Sequence, residues 1–199
     1  MTHTPTRRSL LLSAVLAAGL AACGQDRPTF KSVDISGVDF AGGFQLADQH
    51  GQTRRLEDFA GKAVVVFFGF TQCPDVCPTT LGEIADAKRL LGPDGDRLQG
   101  VFITVDPERD TPEILKAYMA NFDPSFVALR GTPEETAQVA KNFKVYYKKV
   151  EGKAPGTYSM DHSAASFVYD PQGRLRLYTR YGSGAQALAD DVRLLLKGA

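Results

Sequence analysis

The chain has 199 residues, room for one domain with a proper core and a short leader. Lys+Arg and Asp+Glu both total 23 and 43% of residues are hydrophobic. That is the composition of an ordinary soluble globular protein, with no charge excess to attract nucleic acid.

The leader comes first. Arg7 and Arg8 precede an apolar run from Leu10 to Ala22. A helix of that length spans about 20 Å, short of the roughly 30 Å of bilayer hydrocarbon. Residues 1–22 therefore read as a signal peptide rather than a permanent span. The ending Leu20-Ala21-Ala22-Cys23 resembles the bacterial lipobox, which implies that Cys23 is lipidated and begins the mature protein. A plain secretory signal cut near Ala22 is the other reading. Thr6-Arg7-Arg8-Ser9-Leu10-Leu11 also resembles a twin-arginine export signal, so Sec and Tat export both stay open. The expectation is an extracytoplasmic, periplasmic-side protein, anchored to the membrane by lipid. Residues 23–42 read as a polar tether, and 43–199 as the folded domain.

From Gly43 the pattern becomes regular. Phe44-Gln45-Leu46 and Thr53-Arg54-Arg55-Leu56 flank the turn Asp48-Gln49-His50-Gly51, an N-terminal β-hairpin. The apolar run of residues 63–70 predicts a buried strand, and 77–91 a helix ended by Gly92-Pro93-Asp94-Gly95. Residues 99–105 predict the next strand. Thr111-Pro112-Glu113 and Thr132-Pro133-Glu134 each place a cap residue before a first-turn proline. They open predicted helices over 113–122 and 134–143, with a short strand at 126–129 between them. Residues 144–150 read as a strand extension and 151–161 as a loop. A hairpin around Pro171-Gln172-Gly173 and a helix over 185–196 complete the chain. This order predicts an α/β fold, a central mixed sheet flanked by helices. A cysteine pair just after its first long strand points to a thioredoxin-like fold.

The chemistry centres on Cys73-Pro74-Asp75-Val76-Cys77-Pro78. Two thiols at a strand-to-helix junction sit where free backbone N–H groups favour thiolate. If Cys23 is lipidated, these are the sole thiols left. A structural disulfide closing three residues would constrain the unfolded chain little, so the pair reads as chemical. If the turn is helical, residues four apart share a face with Cβ atoms about 5–6 Å apart. That spacing suits a shared metal ion and, after rearrangement, a disulfide. A third ligand separates the uses. His50 lies in a predicted hairpin turn and reads as solvated. His162, in Met160-Asp161-His162-Ser163, precedes the strand expected beside the cysteine turn. Two thiolates and an imidazole suit Cu(I) and accept Cu(II), whereas structural zinc wants four protein ligands. Asp161 reads either as orienting His162 or as simply exposed.

Residues 69–81, from Gly69-Phe70-Thr71-Gln72-Cys73 to Leu81, resemble the Sco/SenC copper-chaperone family. So do Val105-Asp106-Pro107-Glu108-Arg109-Asp110-Thr111-Pro112 and Asp161-His162-Ser163-Ala164, in the family's order, with Phe70 where many members carry Tyr. The likeness runs from about Gly43 to the end. It implies a thioredoxin-like fold, copper held by Cys73, Cys77 and His162, and Asp106 close behind the metal site. It implies delivery of copper to, or assembly of, the CuA centre of cytochrome c oxidase. The expected partners are that oxidase's CuA-bearing subunit, other periplasmic copper chaperones and, through lipid, the membrane; no nucleic acid is expected. A thiol–disulfide oxidoreductase or redox sensor using Cys73 and Cys77 is the alternative, though the extra residue between the cysteines and Ala164-Ala165 in place of the usual proline count against a general reductase. A peroxidase is disfavoured because no peroxide-cradling Pro and Thr precede Cys77. The expected docking surface is the cysteine turn, with Phe70, Pro74, Val76 and Pro78 as its apolar contacts.

Overall fold

The structure, a computed structural model, describes residues 29–199. The expected signal peptide and Cys23 lie outside the described residues. Among the described residues there are ten strands: β1 Val33–Asp34, β2 Gln45–Asp48, β3 Thr53–Arg55, β4 Ala63–Gly69, β5 Leu98–Thr104, β6 Val127–Arg130, β7 Tyr147–Glu151, β8 Tyr158–His162, β9 Ser166–Tyr169 and β10 Leu175–Thr179. Four α-helices join them: α1 Val76–Leu90, α2 Pro112–Met119, α3 Pro133–Asn142 and α4 Ala185–Leu196. None of the described helices is long and apolar enough to cross a membrane.

Eight strands form one sheet in the order β1-β10-β9-β4-β5-β6-β2-β3. β4, β5 and β6 are parallel, while β9 runs antiparallel to β4. This is the mixed, helix-flanked sheet the element order predicts. Every residue of β4 and β5 is buried, which is why both read as continuous apolar runs rather than alternating ones. Alternation still sorts their side chains. Phe68 meets Phe143 on one face, and Phe67 meets Phe102 and His162 on the other. Capping proceeds as the sequence indicates: Thr111 Oγ1 accepts from the Ile114 N–H and Thr132 Oγ1 from the Glu135 N–H.

Two regions differ from expectation. Of residues 151–161, expected as a loop, 152–157 do form one, but Glu151 ends one strand and 158–161 belong to another. Tyr158–His162 pairs with Tyr147–Glu151 as a two-stranded ribbon separate from the main sheet. Its residues are mostly exposed and carry Lys148, Lys149 and Glu151, so no apolar run announced it. The second difference is the tether. Asp191, fully buried on α4, accepts hydrogen bonds from the Lys31 and Ser32 amides, and β1 pairs with β10. Tyr169 donates its hydroxyl to the Ala41 carbonyl at 2.6 Å. From Lys31 onward, the expected tether is therefore part of the folded domain. The eight residues from Cys23 to Phe30 can reach at most about 29 Å.

Candidate metal centre

β4 ends at Gly69, and the chain then turns sharply into α1. The Cys73 amide donates back to the Phe70 carbonyl, and the Cys77 amide to Cys73 Sγ at 3.4 Å. Cys73 thus lies before the helix rather than on it, and its sulfur receives one of the N–H groups that a helix start leaves free. Cys73 is partly exposed and Cys77 is buried; neither is in a disulfide. The turn fits because residue 69 is glycine. A Cβ there would stand 2.7 Å from Cys77 Sγ and 2.8 Å from the Phe102 ring.

The ribbon brings His162 to this turn. Its Nε2 lies 3.4 Å from Cys77 Sγ, and the three ligand atoms of Cys73, Cys77 and His162 lie within 4.8 Å of one another. The imidazole stands edge-on between the rings of Phe67 and Phe70. Its Nδ1 is 3.0 Å from the Ser163 carbonyl oxygen. A carbonyl only accepts, so Nδ1 carries the proton and Nε2 presents a lone pair to the sulfurs. Burial also holds the His162 pKa below its ordinary value, against the Ser163 carbonyl and the Asp161 charge, which favours the neutral, ligating form. Burial pushes the Cys77 thiol far above its usual value. In the metal-free site, burial outweighs the helix start at Cys77, contrary to the expectation of a ready thiolate. A bound cation reverses that balance, because it supplies the missing positive charge.

The residues placed near the site by sequence divide. His50 is exposed in the β2–β3 turn, as expected of a solvated residue. Asp161 is exposed, and alternation along β8 points it away from the side His162 faces. The orienting contact expected of it is made by the Ser163 carbonyl. Asp106 is buried but touches no candidate ligand. It pairs with Arg109 and accepts from the Tyr158 hydroxyl at 2.9 Å. Phe70, expected to be a docking contact, is buried against His162, while Pro74 is exposed.

Several residues of the site were not singled out from sequence. Asp110, fully buried, accepts from the Thr71 amide at 3.1 Å, the Thr71 hydroxyl at 2.6 Å and the Thr104 hydroxyl at 2.5 Å. It ties the start of the cysteine turn to the end of β5. Arg109 connects Asp106, Gln72 and Tyr158. The signal available for both was their place in a charged stretch directly after a buried strand, where an acidic group needs a partner.

The family model for SCO1/SenC matches residues 33–197. A SCO2-like protein of Rickettsia prowazekii is 39% identical over 138 residues, covering 69% of this chain and 67% of its own. Among solved structures, ScoI of Bradyrhizobium japonicum with copper bound is 42% identical with a TM-score of 0.70, over 77% of this chain and 97% of that one. Apo Sco1 of Thermus thermophilus is 38% identical with a TM-score of 0.75, over 85% and 99%.

Proposed function

Because the chain belongs to the SCO1/SenC family, we propose that it binds copper through Cys73 Sγ, Cys77 Sγ and His162 Nε2 and passes it to the CuA centre of cytochrome c oxidase. The observation that carries this reading is the convergence of two sulfurs and an imidazole nitrogen within 4.8 Å. Two soft sulfur donors with one nitrogen match Cu(I), and the nitrogen lets the site accept Cu(II). The copper-bound relative from Bradyrhizobium, at 42% identity, supports the choice of metal. Copper here is cargo. It enters by displacing thiol protons, and it leaves when a partner's ligands replace Cys73, Cys77 and His162 one after another. Of the two sulfurs, Cys73 is the more exposed and is released to the partner before Cys77. The CuA-bearing subunit is the acceptor implied by the sequence resemblance. Lipidation of Cys23 would hold the domain on the periplasmic face of the membrane, where such an acceptor and other copper chaperones are reached.

A second reading rests on the same sulfurs. One is partly exposed and the other buried, the asymmetry of an attacking and a resolving thiol. Cys73 thiolate would attack a partner disulfide to give a mixed disulfide. Cys77 would then displace the partner thiol, leaving a Cys73–Cys77 disulfide and a reduced partner. The two uses exclude each other in time, since copper needs both sulfurs reduced.

The test is anaerobic titration of the reduced protein with Cu(I), followed by oxidation to Cu(II) and recording of its spectrum. One copper per chain is expected, lost in Cys73→Ser and Cys77→Ser and weakened in His162→Ala. Unchanged affinity and an unchanged Cu(II) spectrum in His162→Ala would remove the imidazole from the site. Rapid reduction of a CuA-type disulfide without copper retention would favour the second reading.

A further inference from the structure

His162 and the two cysteines come from elements that share no strand pairing. The cysteine turn grows out of β4, at the centre of the main sheet, whereas His162 rides on the separate β7–β8 ribbon. An isolated two-stranded ribbon is marginal in water. Four of the five β7 residues are exposed, and the ribbon's apolar anchorage is Met160, buried in the core, with Tyr147 and Tyr158 partly buried against that core. These apolar side chains are few, so polar contacts carry much of its placement against the cysteine turn.

The Arg109 side chain hydrogen-bonds to both elements. Arg109 Nη1 donates to Gln72 Oε1 at 3.0 Å and to the Tyr158 carbonyl at 2.9 Å. Gln72 directly precedes Cys73, and Tyr158 opens the strand that ends with His162. Arg109 Nε pairs with Asp106. The other oxygen of Asp106 accepts the Tyr158 hydroxyl. The guanidinium also lies 3.6 Å from the centre of the Tyr158 ring. Its Nη2 is enclosed with no acceptor. A buried donor without a partner is costly, so the remaining contacts must outweigh that cost to keep the group there. They need a planar fork that bonds along two edges and stacks on its face, which a lysine ammonium cannot reproduce.

We propose that Arg109 is the positioning residue that latches the His162-bearing ribbon onto the cysteine turn, and so sets how fast copper leaves the site. The proposal deepens, and rests on, the copper-binding reading above. With the latch closed, three ligand atoms stay within reach of one ion. With it open, the ribbon swings away, the imidazole is lost, and the ion is left on two sulfurs. The first coordination position offered to an acceptor is then the one vacated by His162, because its element is the least anchored. No electron moves in this step: the Cu–Nε2 bond breaks, a bond to an acceptor ligand forms, and copper keeps its oxidation state.

The test uses the full chain with Arg109→Gln, Arg109→Lys and Gln72→Ala. Amide exchange is first measured without metal. Arg109→Gln should speed exchange of the Tyr158–His162 amides about tenfold, the worth of one charged hydrogen bond, and leave α4 unchanged. Cu(I)-loaded proteins are then mixed with a soluble Cu(I) chelator. Copper capture should be about tenfold faster for Arg109→Gln, not restored by Arg109→Lys, and faster by a smaller factor for Gln72→Ala. Unchanged ribbon exchange overturns the latch. Faster ribbon exchange with unchanged copper capture also overturns it, because Arg109 would then brace the fold without governing the site. If Arg109→Gln loses protection in α4 as well, the other two variants decide, and wild-type capture rates in both refute the proposal. Failure of the wild-type protein to hold copper would instead strike the copper-binding reading, while the metal-free exchange measurement would still judge the latch.

Discussion

Gly69→Ala tests the idea that a single missing side chain makes room for the metal site. The added Cβ would stand 2.7 Å from Cys77 Sγ, 2.8 Å from Phe102 Cε2 and 3.1 Å from Phe67 Cε1. The first contact is about 0.8 Å inside the shortest comfortable separation of two carbons, and sulfur is larger. Both aromatic rings and the sulfur are fully buried, so none can swing into solvent. Overpacking a dense core costs about 1–3 kcal/mol. Gly69 has no positive φ, so alanine also restricts the unfolded chain and returns about 0.4–1 kcal/mol. The net expectation is a loss of about 1–2 kcal/mol, or a fall in melting temperature of roughly 2–8 °C for a domain of this size. Because Cys77 Sγ must move, copper affinity should fall in the same variant. Urea denaturation of the metal-free protein and Cu(I) competition titration measure the two effects. A variant as stable as the wild type with unchanged copper affinity would refute the close-packing argument.

Other outcomes follow from the same structure. Asp191→Ala should free residues 31–36 from α4 and cost about 1–3 kcal/mol through two unpaired amides; limited proteolysis should then cut N-terminal to β1, and an intact N-terminus would count against the docking. Tyr169→Phe should cost about 1 kcal/mol in denaturant melts, since it strips the Ala41 carbonyl of its buried partner. Asp48 gives a pH signature. Burial opposes its charge, but the Arg54 side chain and the Gln52 and His50 amides prevail and hold its carboxyl below the usual value. Its folded pKa is therefore below the unfolded one. The stability it contributes is present above the unfolded value near 3.9 and lost as pH falls through the folded one. Asp48→Asn should lower stability at pH 7 and make the loss between pH 4 and pH 2 shallower. Parallel melting curves for variant and wild type across that range would contradict this.

Elements that bury a face were legible in the chain, because burial leaves a period in the sequence. β4 and β5 read as strands from their apolar runs, and α2 and α3 from threonine caps followed by proline. Of the β7–β8 ribbon, β7 falls within the strand extension read over 144–150, but β8 was not legible, since the ribbon is mostly exposed and held by backbone pairing, Arg109 and a few buried side chains rather than by a continuous apolar face. β1 was missed for a related reason: two exposed residues carry no pattern, and a buried aspartate 160 positions away fixes the segment.

For the site, the kinds of donor were set by the chain itself. The described residues hold two cysteines and two histidines, which offers few ways to build a soft metal site, and the apolar run before the cysteines with the helical stretch after them marked a strand-to-helix turn. His162 was preferred to His50 from its place just before β9, but which of its nitrogens is free and what holds it against the sulfurs were decided by tertiary structure. Those answers depend on groups far apart in sequence meeting in space: Ser163 against the imidazole, Gly69 beneath Cys77, and Arg109 between Gln72 and Tyr158. Local preference along a chain carries no information about such distances, because they are fixed only when the sheet and its ribbon pack.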